Sequence, residues 1–288
     1  MIYLLFSILS STAIFVLFKL FDRYRINTLQ AIVTNYITAF ILGLSLSTKK
    51  FNLSEIWNAK WFLGAILLGF LFISIFNIMA IVSQRNGVSV ASVATKMSVV
   101  IPVIFGIYLY GESTGLQKLL GIVLALVAVV LVSLKPKSHI RIKNNLLFPF
   151  LVFLGSGIID TSIKYLETFY VEDNGIPLFS ATIFGCAAII GVSLLLLFKK
   201  LNGSFKLNKL SLLSGSILGV VNYASIYYLL KALDHESLES STIFTVNNVA
   251  IVMLSGIVGL LLFKERLSLK NWLGIGMAIL SILLVTLA

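Results

Sequence analysis

Residues 88–134, VSVASVATKMSVVIPVIFGIYLYGESTGLQKLLGIVLALVAVVLVSL, decide the fold, because residues 241–287, STIFTVNNVAIVMLSGIVGLLLFKERLSLKNWLGIGMAILSILLVTL, repeat them 153 positions later. Glu112 is followed by Leu116, Leu120, Gly121, Ile122 and Ala125. Glu265 is followed by Leu269, Leu273, Gly274, Ile275 and Ala278 at the same offsets. Each copy is an apolar run, a short polar turn holding one glutamate, and a second apolar run. A duplicated pair of membrane-length segments predicts a membrane protein built from two related halves.

Composition leaves no other solvent. Of 288 residues, 59% are apolar and only 11% charged, against roughly 25% charged in a typical soluble domain. Mean hydropathy is +1.04. The net charge of +11 comes from lysines and arginines set between apolar runs, as membrane insertion requires, rather than from one basic patch, so nucleic acid is not an expected partner. Cys186 stands alone in an apolar run and forms no internal disulfide. The first apolar segment lacks a basic start and a small-x-small cleavage site before Lys19, and is expected to be retained as a helix.

Ten runs long enough to span hydrocarbon follow in order, at 2–20, 28–47, 61–83, 88–110, 115–134, 146–168, 178–198, 210–233, 239–263 and 268–287. Pro149 is expected in the first turn of the sixth. All should be helices, since an unpaired amide in lipid costs several kcal/mol and none of the runs alternates as a barrel strand would. The front of each half repeats as well. Thr34, Ala39, Ile41, Gly43, Ser45 and Leu46 match Thr182, Ala187, Ile189, Gly191, Ser193 and Leu194. The expected organisation is a first five-helix repeat over 1–134, a basic connecting loop over 135–145 and a second repeat over 146–288. An odd number of spans per repeat turns the second upside down relative to the first. The predicted fold is therefore an all-α integral membrane protein of ten helices, two inverted repeats around a central cavity.

These blocks resemble the drug/metabolite transporter superfamily, specifically its ten-span EamA-type members. The resemblance rests on the Glu–Leu–Leu–Gly blocks at 112–121 and 265–274 and on Pro102 ahead of Glu112, and it covers nearly the whole chain. Ser255 and Gly256 stand where the second half would carry a proline, so any hinge there differs. The resemblance implies both termini in the cytoplasm, whereas the positive-inside rule, counted over Lys19, Arg23, Arg25, Arg85 and the basic 135–145 loop, puts them outside. The first span also resembles that of the small multidrug-resistance exporters. Ser11 and Ser156 occupy the places of the glutamate that couples those exporters to protons.

Polar groups inside the spans are the candidate site. Lys96 lies about 12 Å into the fourth span at 1.5 Å per residue, and a lysine at such depth costs at least ~2.5–3.5 kcal/mol unless it meets a cavity or partner. It can serve as a structural ion pair or meet an anionic substrate group. The resemblance adds that nucleotide-sugar transporters of the same superfamily carry a lysine in this span. Asp160, one turn before Lys164, is the coupling candidate and the expected counter-charge of Lys96 across the cavity, or else forms only an intrahelical pair with Lys164. Asn247 and Asn248 fall near the position that repeats Lys96. With Asn222, Tyr223, Asn77, Asn35 and Tyr36 they are candidate substrate contacts, each with helix packing as the competing role. Glu112 and Glu265 are expected to cap the helices that follow them.

The function these residues predict is secondary transport of a small polar or amphipathic metabolite, an amino acid or similar, by alternating access in the cytoplasmic (inner) membrane. The alternatives are a structural or assembly protein, or a channel, which would need polar groups along a continuous path. An intramembrane enzyme would need a nucleophile–base pair or metal ligands at depth. His139 and His235 lie in loops, so no metal, cofactor or catalytic residue is expected. The expected partners are the bilayer and a small-molecule substrate, and the chain is expected to be a monomer.

Overall fold

The computed structural model describes residues 2–46, 53–102, 104–105, 115–133, 142–171, 175–202, 207–233 and 240–286. Among the described residues there is no strand. The helices are α1 (Ile2–Arg23), α2 (Thr28–Leu46), α3 (Leu53–Asn58), α4 (Phe62–Arg85), α5 (Val88–Met97), α6 (Leu116–Ser133), α7 (Ile142–Tyr170), α8 (Ile176–Asn202), α9 (Lys209–Leu233), α10 (Ser240–Phe263) and α11 (Leu269–Thr286). Seven of them contain a segment long and apolar enough to cross a membrane, and three shorter apolar helices follow Gly87, Gly115 and Ser268. Leucines such as Leu63, Leu119, Leu213, Leu261 and Leu273 are exposed, as befits side chains whose solvent is lipid.

Three boundaries differ from the sequence expectation. The fourth span, expected as one helix, breaks: α5 ends at Met97, and a turn at 98–99 precedes renewed helix at 100–102. The cause is Pro102. It has no N–H to give the carbonyl four residues back, which belongs to Ser98, and its ring crowds that carbonyl. Ser98 O accepts instead from Ile101 N at 2.9 Å, a three-residue reach, while the Ser98 hydroxyl donates to Thr95 O at 2.6 Å. Ser255 stands at the repeat position, and α10 runs on unbroken to Phe263. Second, α7 begins at Ile142, so Pro149 sits inside the helix rather than in its first turn. Third, the connection after α2 holds the short helix α3, with Ile56 buried and Trp57 exposed against Phe62.

The chain forms two compact units, each drawing on both sequence halves. The first unit comprises Met1–Leu20, Ile78–Ile158 and Ala224–Ala288. Within it α6 and α11 lie antiparallel along most of their length. Asn271 Nδ2 donates to the Leu131 and Val132 carbonyls (3.1 and 2.8 Å), the Ser281 hydroxyl to Gly121 O (2.7 Å), and Gln117 Nε2 to Leu284 O (3.3 Å). Leu131 and Leu284 are equivalent positions of the repeat, and each carbonyl is met by a side chain from the first turn of the other helix. Between these bonds lie Ala125 and Ala278, also equivalent and both wholly buried, so small side chains set the closest approach. At the α5–α10 crossing the Ser92 and Ser255 hydroxyls hydrogen-bond to each other. Where α1 meets α4, Lys19 Nζ donates to Gln84 O (2.7 Å), Gln84 Nε2 to Phe18 O (3.1 Å) and the Ser83 hydroxyl to Phe15 O (2.8 Å). The Lys19 bond to Gln84 O, in the last turn of α4, satisfies an acceptor that the helix itself leaves open.

The second unit comprises Phe21–Asn77 and Ile159–Tyr223. Here α2 and α8, the equivalent second spans of the two halves, also pack antiparallel. A Cβ added to Gly43 would stand 3.1 Å from Ala181 Cβ, and one added to Gly191 would stand 2.6 Å from Val33 Cγ2. Gly43 and Gly191 are repeat equivalents, as are Val33 and Ala181, so the two contacts are reciprocal. On its other side α2 takes α9 through Gly215 and Gly219. Gly215 rests on the Ala31 carbonyl, and a Cβ at Gly219 would lie 2.6 Å from Thr38 Cβ and 2.7 Å from Asn35 O. Small residues four apart let two backbones touch, the usual currency of helix association in lipid. The same seam is closed at one end by cross-helix caps: Asn27 N donates to Ser211 Oγ (3.0 Å) and Asn208 N to Gln30 Oε1 (3.1 Å).

Candidate functional site

In the first unit Lys96 occupies the last turn of α5, half-buried and held in contacts of its own. That placement follows from the break just described. A cation is favoured where a helix ends, because the last carbonyls carry partial negative charge. Thr95 beside it donates to Ala91 O (2.9 Å) and approaches Met79 Sδ at 3.3 Å. On α10 the two asparagines part company. Asn247 is buried, and its Oδ1 accepts from the Ser7 hydroxyl of α1 (3.1 Å), which also lies 3.1 Å from the Ser225 carbonyl of α9. Three helices are thus joined through one serine. Asn248 is half-buried and takes no part in that bond. Thr12, one turn beyond Ser7 on α1, is buried with no partner for its hydroxyl oxygen.

In the second unit the polar candidates gather on the α2–α9 seam. Asn222 Nδ2 donates to Asn35 Oδ1 at 3.2 Å, and Asn35 is wholly buried with its own Nδ2 unpartnered. Tyr223 is half-buried beside Gly43. Tyr36, the largest wholly buried side chain, donates its hydroxyl to Phe72 O (2.9 Å) and packs against the Phe72, Phe76 and Phe184 rings. That environment is the packing role weighed against substrate contact. Asn77 Nδ2 folds back to Ile73 O of its own helix (2.7 Å). Asp160 is exposed and has contacts of its own, as does Lys164 one turn later. Lys96 therefore belongs to the first unit and Asp160 to the second.

The glutamate expectation is corrected. Glu265 does not cap α11, the helix that follows it. Ser268 and Asn271 do that between them: Ser268 N donates to Asn271 Oδ1 (2.8 Å) and Asn271 N to Ser268 Oγ (3.3 Å), the reciprocal pattern of a capping box. With its own helix start already served, Glu265 turns to the N-terminus of α5, where Oε1 accepts from Val88 N at 2.8 Å and Oε2 from the Ser89 hydroxyl at 3.3 Å. Glu112, His139 and His235 lie outside the described residues. The bonds that sequence reasoning missed, at Ser7, Ser92 and Ser255, involve small hydroxyls scattered through apolar spans. Their only signal was a serine in a lipid-length run.

With seven membrane-length helices and no strand among the described residues, and leucines on the outside, the chain is a multi-pass membrane protein. Residues 1–134 match the EamA-like transporter family. An uncharacterized protein of Haemophilus influenzae is 30% identical over 283 residues, 94% of this chain and 93% of that protein. The chain belongs to the EamA-like transporter family, within the drug/metabolite transporter superfamily, whose members are transporters rather than enzymes. A crystal structure at 11% identity covers 99% of this chain and 96% of its own with a TM-score of 0.62, which shows a shared fold.

Proposed function

We propose that the protein is a secondary transporter of the cytoplasmic membrane that moves a small polar or amphipathic metabolite, an amino acid or similar, by alternating access. Ten spans, seven long and three short, form inverted repeats over 1–134 and 146–288, the helix that opens the second repeat beginning at Ile142. The observation that carries this reading is the reciprocal packing of equivalent helices. Gly43 on Ala181 is answered by Gly191 on Val33, and the Leu131 carbonyl bonded from α11 is answered by the Leu284 carbonyl bonded from α6. Antiparallel, self-matching pairs are what two upside-down copies of one sequence generate. Repeats so related rock about a substrate site near the bilayer midplane.

Lys96, at the end of a broken helix, is the group that meets a carboxylate or other anionic part of the substrate. Broken helices supply charge and open backbone groups at depth without exposing them to lipid. Asn247, Asn248, Asn222, Tyr223, Asn77, Asn35 and Tyr36 are the further candidate contacts, and Asp160 is the coupling candidate. The test is uptake and counterflow in proteoliposomes, screened over labelled amino acids, nucleosides and sugars with and without a proton gradient. Saturable flux stimulated by internal unlabelled substrate and lowered at least about tenfold by Lys96→Gln supports the reading. Flux that neither saturates nor shows counterflow would make the protein a channel.

A further inference from the structure

The segment α5 is ten residues long and bounded by a change of backbone at each end. Before it stands Gly87 at φ 117°, a conformation that suits glycine; after it comes the turn at 98–99 imposed by Pro102. Its first turn has orphan N–H donors, and Gly87 offers no side chain to cap them. The cap arrives from 177 positions away, through Glu265 on the α10–α11 connection. The chain is shaped to receive it. A Cβ at Gly87 would stand 2.8 Å from the Glu265 carboxyl group, and one at Gly259 would stand 2.5 Å from Oε2. Lys264, at φ 51°, turns the chain back so that Glu265 N bonds Gly259 O at 3.0 Å and the carboxylate faces α5. The commoner N-cap is a local serine, threonine, asparagine or aspartate, and α5 has none.

We propose that Glu265 is a positioning residue of transport: its carboxylate tethers the N-terminal turn of α5, the helix carrying Lys96, to the α10–α11 connection, and transport depends on this tether. The proposal rests on the transporter reading. A short helix between two joints moves as a rigid piece, and Glu265 decides where its free end sits while Lys96 rides on the other.

The test pairs hydrogen exchange of the full-length protein in lipid nanodiscs with counterflow of a labelled amino-acid mixture in proteoliposomes, for wild type, Glu265→Gln and Glu265→Ala. In Glu265→Ala, amide exchange over residues 88–91 rises about tenfold or more, the factor a lost charge-assisted hydrogen bond carries, while α6 keeps its protection. Glu265→Gln, which retains an acceptor oxygen, falls between. Maximal flux drops about tenfold in Glu265→Ala with half-saturation within about twofold, and Glu265→Gln recovers part of it. Unchanged exchange at 88–91 overturns the tether; raised exchange with wild-type flux overturns its part in transport. If Glu265→Ala also loses protection in α6, Glu265→Gln decides alone, and wild-type exchange together with wild-type flux in that variant overturns the proposal. Absence of counterflow in wild-type liposomes overturns instead the transport reading on which the role depends.

Discussion

Replacing Asn222 by leucine separates the two roles of the buried amide pair. In the native protein Asn222 Nδ2 reaches Asn35 Oδ1 at 3.2 Å, while Asn35 Nδ2 has no partner and the residue is wholly buried. Asn222→Leu therefore leaves Asn35 with both ends of its amide unpaired. An orphaned buried polar group costs about 1–3 kcal/mol, whereas hydrogen bonds between membrane helices average about 0.6 and reach about 1.7 kcal/mol. Asn222→Leu should accordingly destabilise by about 1–2 kcal/mol. Asn35→Leu removes an already orphaned donor as well as the acceptor, and should cost less. The double variant has no amide left to orphan, so its cost should fall below the sum of the singles by about 0.6–1.7 kcal/mol. Unfolding by sodium dodecyl sulfate in mixed micelles, followed by tryptophan fluorescence, measures all four proteins. Additivity within about 0.3 kcal/mol, or Asn35→Leu proving the more harmful single change, would refute the reasoning.

Other outcomes follow from the same geometry. Gly219→Ala places a methyl carbon 2.6 Å from Thr38 Cβ and 2.7 Å from the Asn35 carbonyl, so it should destabilise by about 1–3 kcal/mol in the same assay. Gly276→Ala, where the added atom meets nothing within 4 Å, should be neutral or slightly stabilising because alanine favours helix. Asn271→Ala keeps the backbone bond to Ser268 Oγ but loses the acceptor for Ser268 N and two bonds to the end of α6, and should cost about 2–3 kcal/mol, above Ser268→Ala, which loses the N-cap hydroxyl and keeps the bonds to α6. Pro102→Ala restores an N–H aimed at Ser98 O. Amide exchange over 98–102 should slow, and maximal counterflow should fall if the break is used in transport; unchanged exchange would show that the proline is not its cause.

Most helix ends were legible because hydrocarbon thickness sets element length. α1, α2, α4, α9, α10 and α11 begin and end within three residues of the apolar runs that announced them. The break in α5 was half legible. Pro102 was visible and its absence at Ser255 was noted, but placing the turn at 98–99 requires following the missing bond back four residues. The early start of α7 was hidden because residues 142–145, IKNN, look like loop when hydropathy is the guide. Candidate residues were legible as polar groups in apolar runs, and their partners were not. Nothing local told Asn247 from Asn248, yet only the former meets Ser7. Glu265 was misread for the same reason: a glutamate before a helix suggests that helix, and the competing cap by Ser268 and Asn271 sent it elsewhere.

The proline in one copy and the serine in the other have a mechanical consequence. Two copies of one design would flex equally and spend equal time facing each compartment. With Pro102 breaking the helix just after α5 and Ser255 leaving α10 continuous, the springs are unmatched. Under the alternating access proposed above, such a carrier would have a preferred resting face even in a symmetric solution, and exchanging the two residues between halves should reverse that preference.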